Sequence, residues 1–139
     1  YSRLGNYASA KRFYSDNIIT QYHVAGHDID PQDLPGTDSP QAMEASILLA
    51  RGIDAFFGAR KEDAIVDFVA ADRLIPNNPL VHYFWGYALV HSSRGPEAVE
   101  HFRIAAEYGH GALAKDAGER LQSTQAEAQL QAKHTKGVR

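Results

Sequence analysis

The sequence predicts an all-α fold in which antiparallel helix pairs stack into a solenoid that a C-terminal helix caps. The first observation behind this prediction is an internal repeat with a period of 34 residues. The second is a set of prolines that directly follow residues able to cap a helix. The third is that no segment alternates convincingly between apolar and polar residues, so no sheet is expected.

The repeat relates AIVDFVAADRLIPNNP, which begins at Ala64, to AVEHFRIAAEYGH, which begins at Ala98. A shift by this one period aligns Gly52 with Gly86, Ala64 with Ala98, Phe68 with Phe102 and Ala71 with Ala105. Small residues let two helix backbones approach where they cross, and a large ring fills the space beside that contact. The aligned positions therefore predict two copies of one helix–turn–helix unit.

Helix boundaries follow from the capping residues and from the short links. Ser39-Pro40, Asn78-Pro79 and Gly95-Pro96 each place a capping residue before a proline, which is typical of a helix start. Links as short as GARK and SSRG require neighbouring helices to run antiparallel. The predicted helices span about 40–58, 62–74, 79–92, 96–108 and 112–133.

The last predicted helix, 112–133, has a short apolar stripe. Leu113, Ala117 and Leu121 recur every four residues and can cover the end of the stack. Beyond them, STQAEAQLQAKHTKGVR is rich in alanine and glutamine and has little to bury. Because a solenoid needs a terminal element with a polar outer face, we predict that this helix is the cap. Its distal part is expected to extend into solvent or onto a partner.

The spaced pattern resembles the tetratricopeptide repeat family, whose motif is a 34-residue helix–turn–helix. The first series that fits the motif consists of Gly52, Ala64, Phe68, Ala71 and Pro76. The second series contains Gly86, Ala98, Phe102 and Ala105, with His110 where a proline is usual. The resemblance implies a right-handed superhelix with a concave groove and a role in binding other proteins.

The start of the chain matches the same family in part. GNYASAKRFY has the pattern of a turn and second helix, with Gly5, Tyr7, Ala10 and Tyr14 at the family spacing. Asn17 stands where a small apolar residue is usual, and the first helix of this repeat would precede Tyr1. We therefore expect the chain to be cut from a longer one. The predicted single domain, 1–139, comprises a partial repeat (1–22), an acidic insert (23–39), repeats at 40–76 and 79–110, and the capping helix.

The acidic insert adds roughly 20 residues between the partial repeat and the first full one. It is rich in Gly, Pro and Asp, which is typical of a loop. Between Phe13 and Ala50 there are six acidic residues and no Lys or Arg. We expect a solvated surface loop that the fold does not need, since long surface insertions cost little closure entropy. The alternative is that its charge orients a docked partner.

Composition and charge narrow the functional classes. Of 139 residues, 44% are hydrophobic and 22% charged, as in an ordinary globular domain. The net charge of −3 lacks the basic footprint of a nucleic-acid-binding protein. No apolar run reaches the roughly 20 residues of a membrane span, and the absence of cysteine excludes thiol catalysis. We expect a soluble protein that does not bind nucleic acid, and the sequence does not distinguish cytoplasm from periplasm.

Seven histidines raise a metal-binding alternative. The densest cluster, HVAGHDIDPQD, places His23 and His27 four residues apart beside three aspartates. Gly26 and Pro31 favour a loop, and the spacing fits neither a zinc protease helix nor a calcium loop. The sequence also lacks a G-x-S-x-G elbow and a glycine-rich phosphate loop. We expect no catalytic residue, metal or cofactor; the alternative is a metal sensor or enzyme that uses the His23/His27 loop.

The family resemblance also implies a binding groove lined by the first helix of each repeat. The residues carried over to it by spacing are Ser46, Leu49, Ile53, Phe56, Leu80, Tyr83, Tyr87 and Val90. This set is apolar and aromatic, so it lacks the basic residues with which some family members hold a C-terminal carboxylate. The insert, a missing helix or a neighbouring repeat could instead cover these residues.

The predicted function is a non-catalytic protein–protein interaction module, a scaffold or adaptor subunit of a larger complex. The expected partner is another protein or an apolar peptide segment. An assembly factor or chaperone that holds an apolar segment transiently is the alternative within the binding class.

Overall fold

The computed structural model of the protein describes residues 23–24, 27–28, 30–36 and 38–137. Within these ranges the chain forms five α-helices and one short strand pair. The helices are α1 (Pro40–Phe57), α2 (Lys61–Leu74), α3 (Pro79–His91), α4 (Gly95–Tyr108) and α5 (Gly111–Gly137). The partial repeat that the sequence predicts over residues 1–22 lies outside the described residues.

Each helix packs against the next one along the chain, and α3 also contacts α1 and α5. Three-residue links reverse the chain between α1 and α2 and again between α3 and α4. The all-α prediction is therefore confirmed for the described helices, whereas the handedness of the stack stays a prediction. Among the described residues, no helix combines the length and the apolar character needed to cross a membrane.

The predicted caps are present at two of three helix starts. The Ser39 hydroxyl accepts the Ala42 amide at 3.0 Å before α1, and the Asn78 side chain accepts the Val81 amide at 3.1 Å before α3. The Gly95-Pro96 prediction is wrong by one residue. Helix α4 already includes Gly95, and Arg94 stands at its N-cap without a side-chain capping bond. The Arg94 guanidinium instead pairs with a carboxylate of the first turn.

The turns inside the two helix pairs are copies of each other. Ala59 has φ of 63° and Ser93 has φ of 60°, and the repeat aligns these two positions. The next residue in each turn, Arg60 or Arg94, donates its amide to a carbonyl in the last turn of the preceding helix at 2.8 Å. A left-handed residue that closes a helix in this way satisfies carbonyls that would otherwise lack partners.

The core of each pair is a ring packed against a glycine. The Phe68 ring lies so close to Gly52 that an added Cβ would be 2.5 Å from its Cε1. The Phe102 ring approaches Gly86 in the same way, at 2.9 Å. Both rings are fully buried, as are the alanines that the alignment placed at helix crossings, Ala64, Ala71, Ala98 and Ala105. The close-packing role that the sequence predicted for these positions is confirmed.

Helix α5 packs on α4 through the predicted stripe. Leu113 and Ala117 are buried, and Leu121 packs against the core from its edge. The helix continues to Gly137, beyond the predicted end at 133. Ala, Gln and Lys favour helix and no proline interrupts them, so the helix continues past the apolar stripe. Leu130 accordingly lies exposed.

The insert contains short secondary structure that the sequence did not predict. Instead of a plain loop, it contains a two-residue antiparallel ladder, β1 (His23–Val24) and β2 (His27–Asp28), a small local departure from the helical prediction. A 3₁₀ turn follows at Pro31–Asp33. Asp30 forms this turn: its carboxylate accepts the Gln32 amide and its carbonyl accepts the Asp33 amide, both at 2.9 Å. Such local bonds by an Asp side chain stabilise turns.

Candidate functional site

Most residues predicted to line the groove lie inside the structure. Leu49, Ile53, Leu80 and Tyr83 are at most 5% exposed, and all four belong to the central core. Phe56 and Tyr87 pack at the edge of that core. Val90 is 37% exposed and is the most accessible of the eight predicted groove residues. The surface that a partner can reach is therefore concentrated at the C-terminal ends of α1 and α3.

The chain's own insert contacts α1 on the side that is predicted to face a groove. The Ser46 hydroxyl, predicted to face the groove, donates to the Gly36 carbonyl at 2.7 Å. Ser46 is fully buried, and Leu34 packs against the core from outside. Of the three coverings that the sequence left open, contact with the insert is the one seen at this position.

The insert has a second contact, between its buried Asp33 carboxylate and His110, which lies 77 residues further along the chain. Asp33 is fully buried, and one of its oxygens lies 2.7 Å from Nδ1 of His110. The other oxygen accepts the His110 amide at 3.4 Å. Burial raises the pKa of Asp33, against the lowering effect of its bonds to His110. The hydrogen bond to Asp33 raises the pKa of His110. The expectation that the insert is only solvated surface is wrong for Asp33.

Tyr83 and Tyr87, which are both predicted to line the groove, form hydrogen bonds to α5. The hydroxyls of Tyr83 and Tyr87 both donate to one carboxylate oxygen of Asp116, the latter at 3.1 Å. The other oxygen of Asp116 lies 3.8 Å from Nε of Arg120. Burial is the main cause that raises the pKa of both tyrosines, so they remain neutral donors. The sequence showed the Leu113–Ala117 stripe but not that Asp116 lies beside it as the tyrosines' acceptor.

A second polar chain links α2, α3 and α4. A carboxylate oxygen of Asp72 lies 2.9 Å from Nε2 of His82, and Nδ1 of His82 lies 2.8 Å from Nδ1 of His101. When both rings are neutral and Nε2 of His82 donates to the carboxylate, Nδ1 of His82 accepts the Nδ1 proton of His101. Trp85 stacks on His101 with centroids 3.8 Å apart. His82 itself is 3% exposed.

Burial sets the protonation of this histidine pair. It lowers the pKa of His82, although hydrogen bonding to Asp72 opposes the effect. It lowers the pKa of His101 to about 4, and the neighbouring His82 adds to the effect. Since the link between two Nδ1 atoms has room for one proton, protonation of both rings would break it. The pair is therefore a neutral structural connection near pH 7.

Two other features of the described residues were candidates for a metal or ligand site. His23 and His27 lie on opposite strands of the small ladder. No group of three or more His, Cys, Asp or Glu side chains within the described ranges is placed to hold a metal ion. A cleft of about 270 Å³ lies between α1 and α2. The charged groups that line it pair with each other, with Arg51 bonded twice to Asp67 at 2.7 and 3.0 Å.

The chain matches no family model, no curated protein and no solved structure. Its function is therefore inferred from its own residues and geometry.

Proposed function

We propose that the protein is a non-catalytic protein–protein interaction module of the tetratricopeptide type, which serves as a scaffold or adaptor subunit of a larger complex. The repeated glycine–ring contact is the observation that supports this proposal most strongly. Gly52 with Phe68, and Gly86 with Phe102, make the same close contact at equivalent positions of the two repeats. Helix pairs of this kind cannot bury their apolar faces alone, so they stack and leave an extended surface for partners.

The state of the buried polar groups fits a binding role. Among the described residues, only the Ser92 hydroxyl is a buried side-chain N or O atom without a hydrogen-bond partner. The buried Asp, His and Tyr side chains instead hold helices together, as Asp116 does for α3 and α5. Polar networks that are satisfied in this way stabilise one arrangement of a core.

An aromatic cluster at the ends of α1 and α3 is the accessible part of the proposed groove. Phe56 lies 6.3 Å from Phe84 and 5.5 Å from His91, between ring centroids. Tyr87 stacks near His91 at 6.3 Å, and Val90 is exposed beside them. Aromatic rings offer large contact area with few rotatable bonds. We propose that an apolar segment of a partner packs here, while Leu49, Ile53, Leu80 and Tyr83 support the surface from inside.

Partner capture with matched surface variants tests the proposal. Val90→Asp places a charge on the proposed surface, whereas Val66→Asp does so on α2, where Val66 is 66% exposed. We expect proteins that co-purify with the parent chain to be lost with Val90→Asp and retained with Val66→Asp, both variants keeping the parent's helix content. Equal capture by the two variants would contradict the proposed surface. Tyr83→Ala is a poor test, because it would also remove a bond to Asp116.

A further inference from the structure

A short segment of the insert contacts the helices at two positions that are far apart in the sequence, His110 and Ser46. We call residues 30–36 the strap. Near its middle, Asp33 bonds to His110 at the start of α5. At its end, the Gly36 carbonyl accepts the Ser46 hydroxyl of α1. Between these bonds, Leu34 packs against the core. The strap therefore runs from the α4–α5 corner to the side of α1 that faces the predicted groove.

We propose that the strap is an internal occupant of the groove, and that it competes with an extended partner segment in which a carboxylate is followed by leucine. This inference rests on the proposed function, because it names the partner class and the regulation of the proposed groove at the position of Ser46 rather than of Val90. The chemistry of the site supplies the partner class. A buried carboxylate accepts from a histidine ring and a backbone amide, and the adjacent leucine lies on apolar side chains.

The two residues of the Asp33–His110 hydrogen bond differ in solvent exposure. Asp33 is fully buried, whereas the His110 side chain is 47% exposed. The histidine therefore remains within reach of a competing carboxylate when the strap leaves. A charge-assisted bond of this kind is stronger than a neutral one and favours one register of an extended segment.

The connection to α1 allows the strap to leave without unfolding the helix. Gly36 has φ of 90°, a conformation that glycine adopts readily and other residues do not. Further along the chain, Ser39 caps α1 through its own side chain. The cap does not depend on any strap residue, so the chain can pivot before it while α1 stays intact.

Binding of the strap's own sequence in trans tests the inference. The probe is a fluorescein-labelled peptide DIDPQDLPGTD, the sequence of residues 28–38, titrated into the full chain and followed by anisotropy. A tethered segment competes at an effective concentration of order millimolar. We therefore expect the parent chain to bind the peptide about tenfold or more weakly than an Asp33→Ala chain, whose strap is released. Asp38→Ala is the matched control, because Asp38 is acidic and exposed, and it should behave as the parent.

The peptide itself carries a second comparison. Replacing the aspartate that corresponds to Asp33 by alanine in the peptide should weaken its binding to the Asp33→Ala chain about tenfold or more, and replacing the one that corresponds to Asp38 should not. If circular dichroism shows that Asp33→Ala loses helix, a chain with residues 30–36 replaced by a Gly/Ser segment of the same length takes its place. Equal peptide binding by the parent, Asp33→Ala and Asp38→Ala chains, or no binding by any chain up to millimolar peptide, would overturn the inference.

The outcome is separable from that of the proposed function. Peptide binding as expected, with equal partner capture by Val90→Asp and Val66→Asp, would leave the strap in place and contradict the proposed partner surface. Partner capture as expected, with no release by Asp33→Ala, would contradict the strap alone.

Discussion

The first helix pair, α1 and α2, and the second, α3 and α4, have the same inner contacts but different outer ones. A shift by one repeat period superimposes the two glycine–ring contacts and the two turns. The same shift aligns Arg51 with Trp85 and Asp67 with His101. In the first pair these positions form an ion pair; in the second they form a ring stack.

The neighbours of each pair explain the difference. Helix α2 packs against the second pair, where its Asp72 reaches His82. Neutral rings suit such a partly buried junction, because burying a charge without a close partner is costly. At the corresponding position of the first pair, the Arg51 side chain is 67% exposed and the Asp67 side chain that it pairs with is 8% exposed. The comparison shows that the buried glycine–ring positions are the same in the two pairs, whereas the positions at the outer edge of each pair differ.

Removing the rings should produce the largest effect. Phe68→Ala and Phe102→Ala each leave a cavity in a fully buried site and should each lower the free energy of unfolding by about 3–5 kcal/mol. Phe102→Ala should cost more, because its ring also meets the edges of Tyr83 and Tyr87 at 6.4 and 5.4 Å between centroids. Urea unfolding measures both. A loss well below this range at either site would break the equivalence of the pairs.

Adding a methyl group at the glycines should have a smaller effect. Gly52→Ala and Gly86→Ala force a buried ring to shift, and each should cost about 1–3 kcal/mol. The closer approach at Gly52, 2.5 Å against 2.9 Å, predicts the larger loss there. Gly118→Ala in α5 is the control, since nothing lies within 4 Å of its added Cβ, and better helix propensity should stabilise the chain by up to about 1 kcal/mol. Destabilisation by Gly118→Ala equal to that of the other two would show that packing is not the cause.

Acid should weaken the second pair by a smaller amount. The folded chain holds the pKa of His101 near 4, below its ordinary 6.5, so the unfolded chain takes up the proton first as pH falls. This contribution is fully present above about pH 6.5 and is lost as pH falls towards 4. At about 1.4 kcal/mol per pKa unit the shift sets an upper limit of roughly 3.5 kcal/mol. Solvent screening of this partly exposed ring reduces the expected loss to about 1–2 kcal/mol. Urea unfolding between pH 7 and 4 should show a shallower decline for His82→Leu/His101→Phe. If the free energy of unfolding falls with pH equally steeply in the parent and in this variant, the histidine pair does not cause the acid sensitivity.

The helices were predictable because their signals are local. Ser39, Asn78 and the register of the repeat place four of the five helices within about two residues of their observed bounds. The strap was not predictable in this way, because its position depends on a bond between Asp33 and His110 across 77 residues. The one local signal was His110 itself, which stands where the repeat family usually has proline. The buried acceptor of Tyr83 and Tyr87 likewise depends on how α5 docks, which no pattern within α5 reveals.

The proposed binding role rests on the claim that the chain contains two copies of one helix–turn–helix unit. A pair of double-mutant cycles tests this claim most directly. Phe68→Leu shortens the side chain that Gly52→Ala would meet, and Phe102→Leu does the same for Gly86→Ala. We expect each double variant within a pair to be more stable than the sum of its single changes by about 1 kcal/mol or more, because contacting residues couple. The crossed combinations, Gly52→Ala with Phe102→Leu and Gly86→Ala with Phe68→Leu, should add within about 0.5 kcal/mol. Additivity within the pairs, or equal coupling in the crossed combinations, would contradict the two-copy architecture.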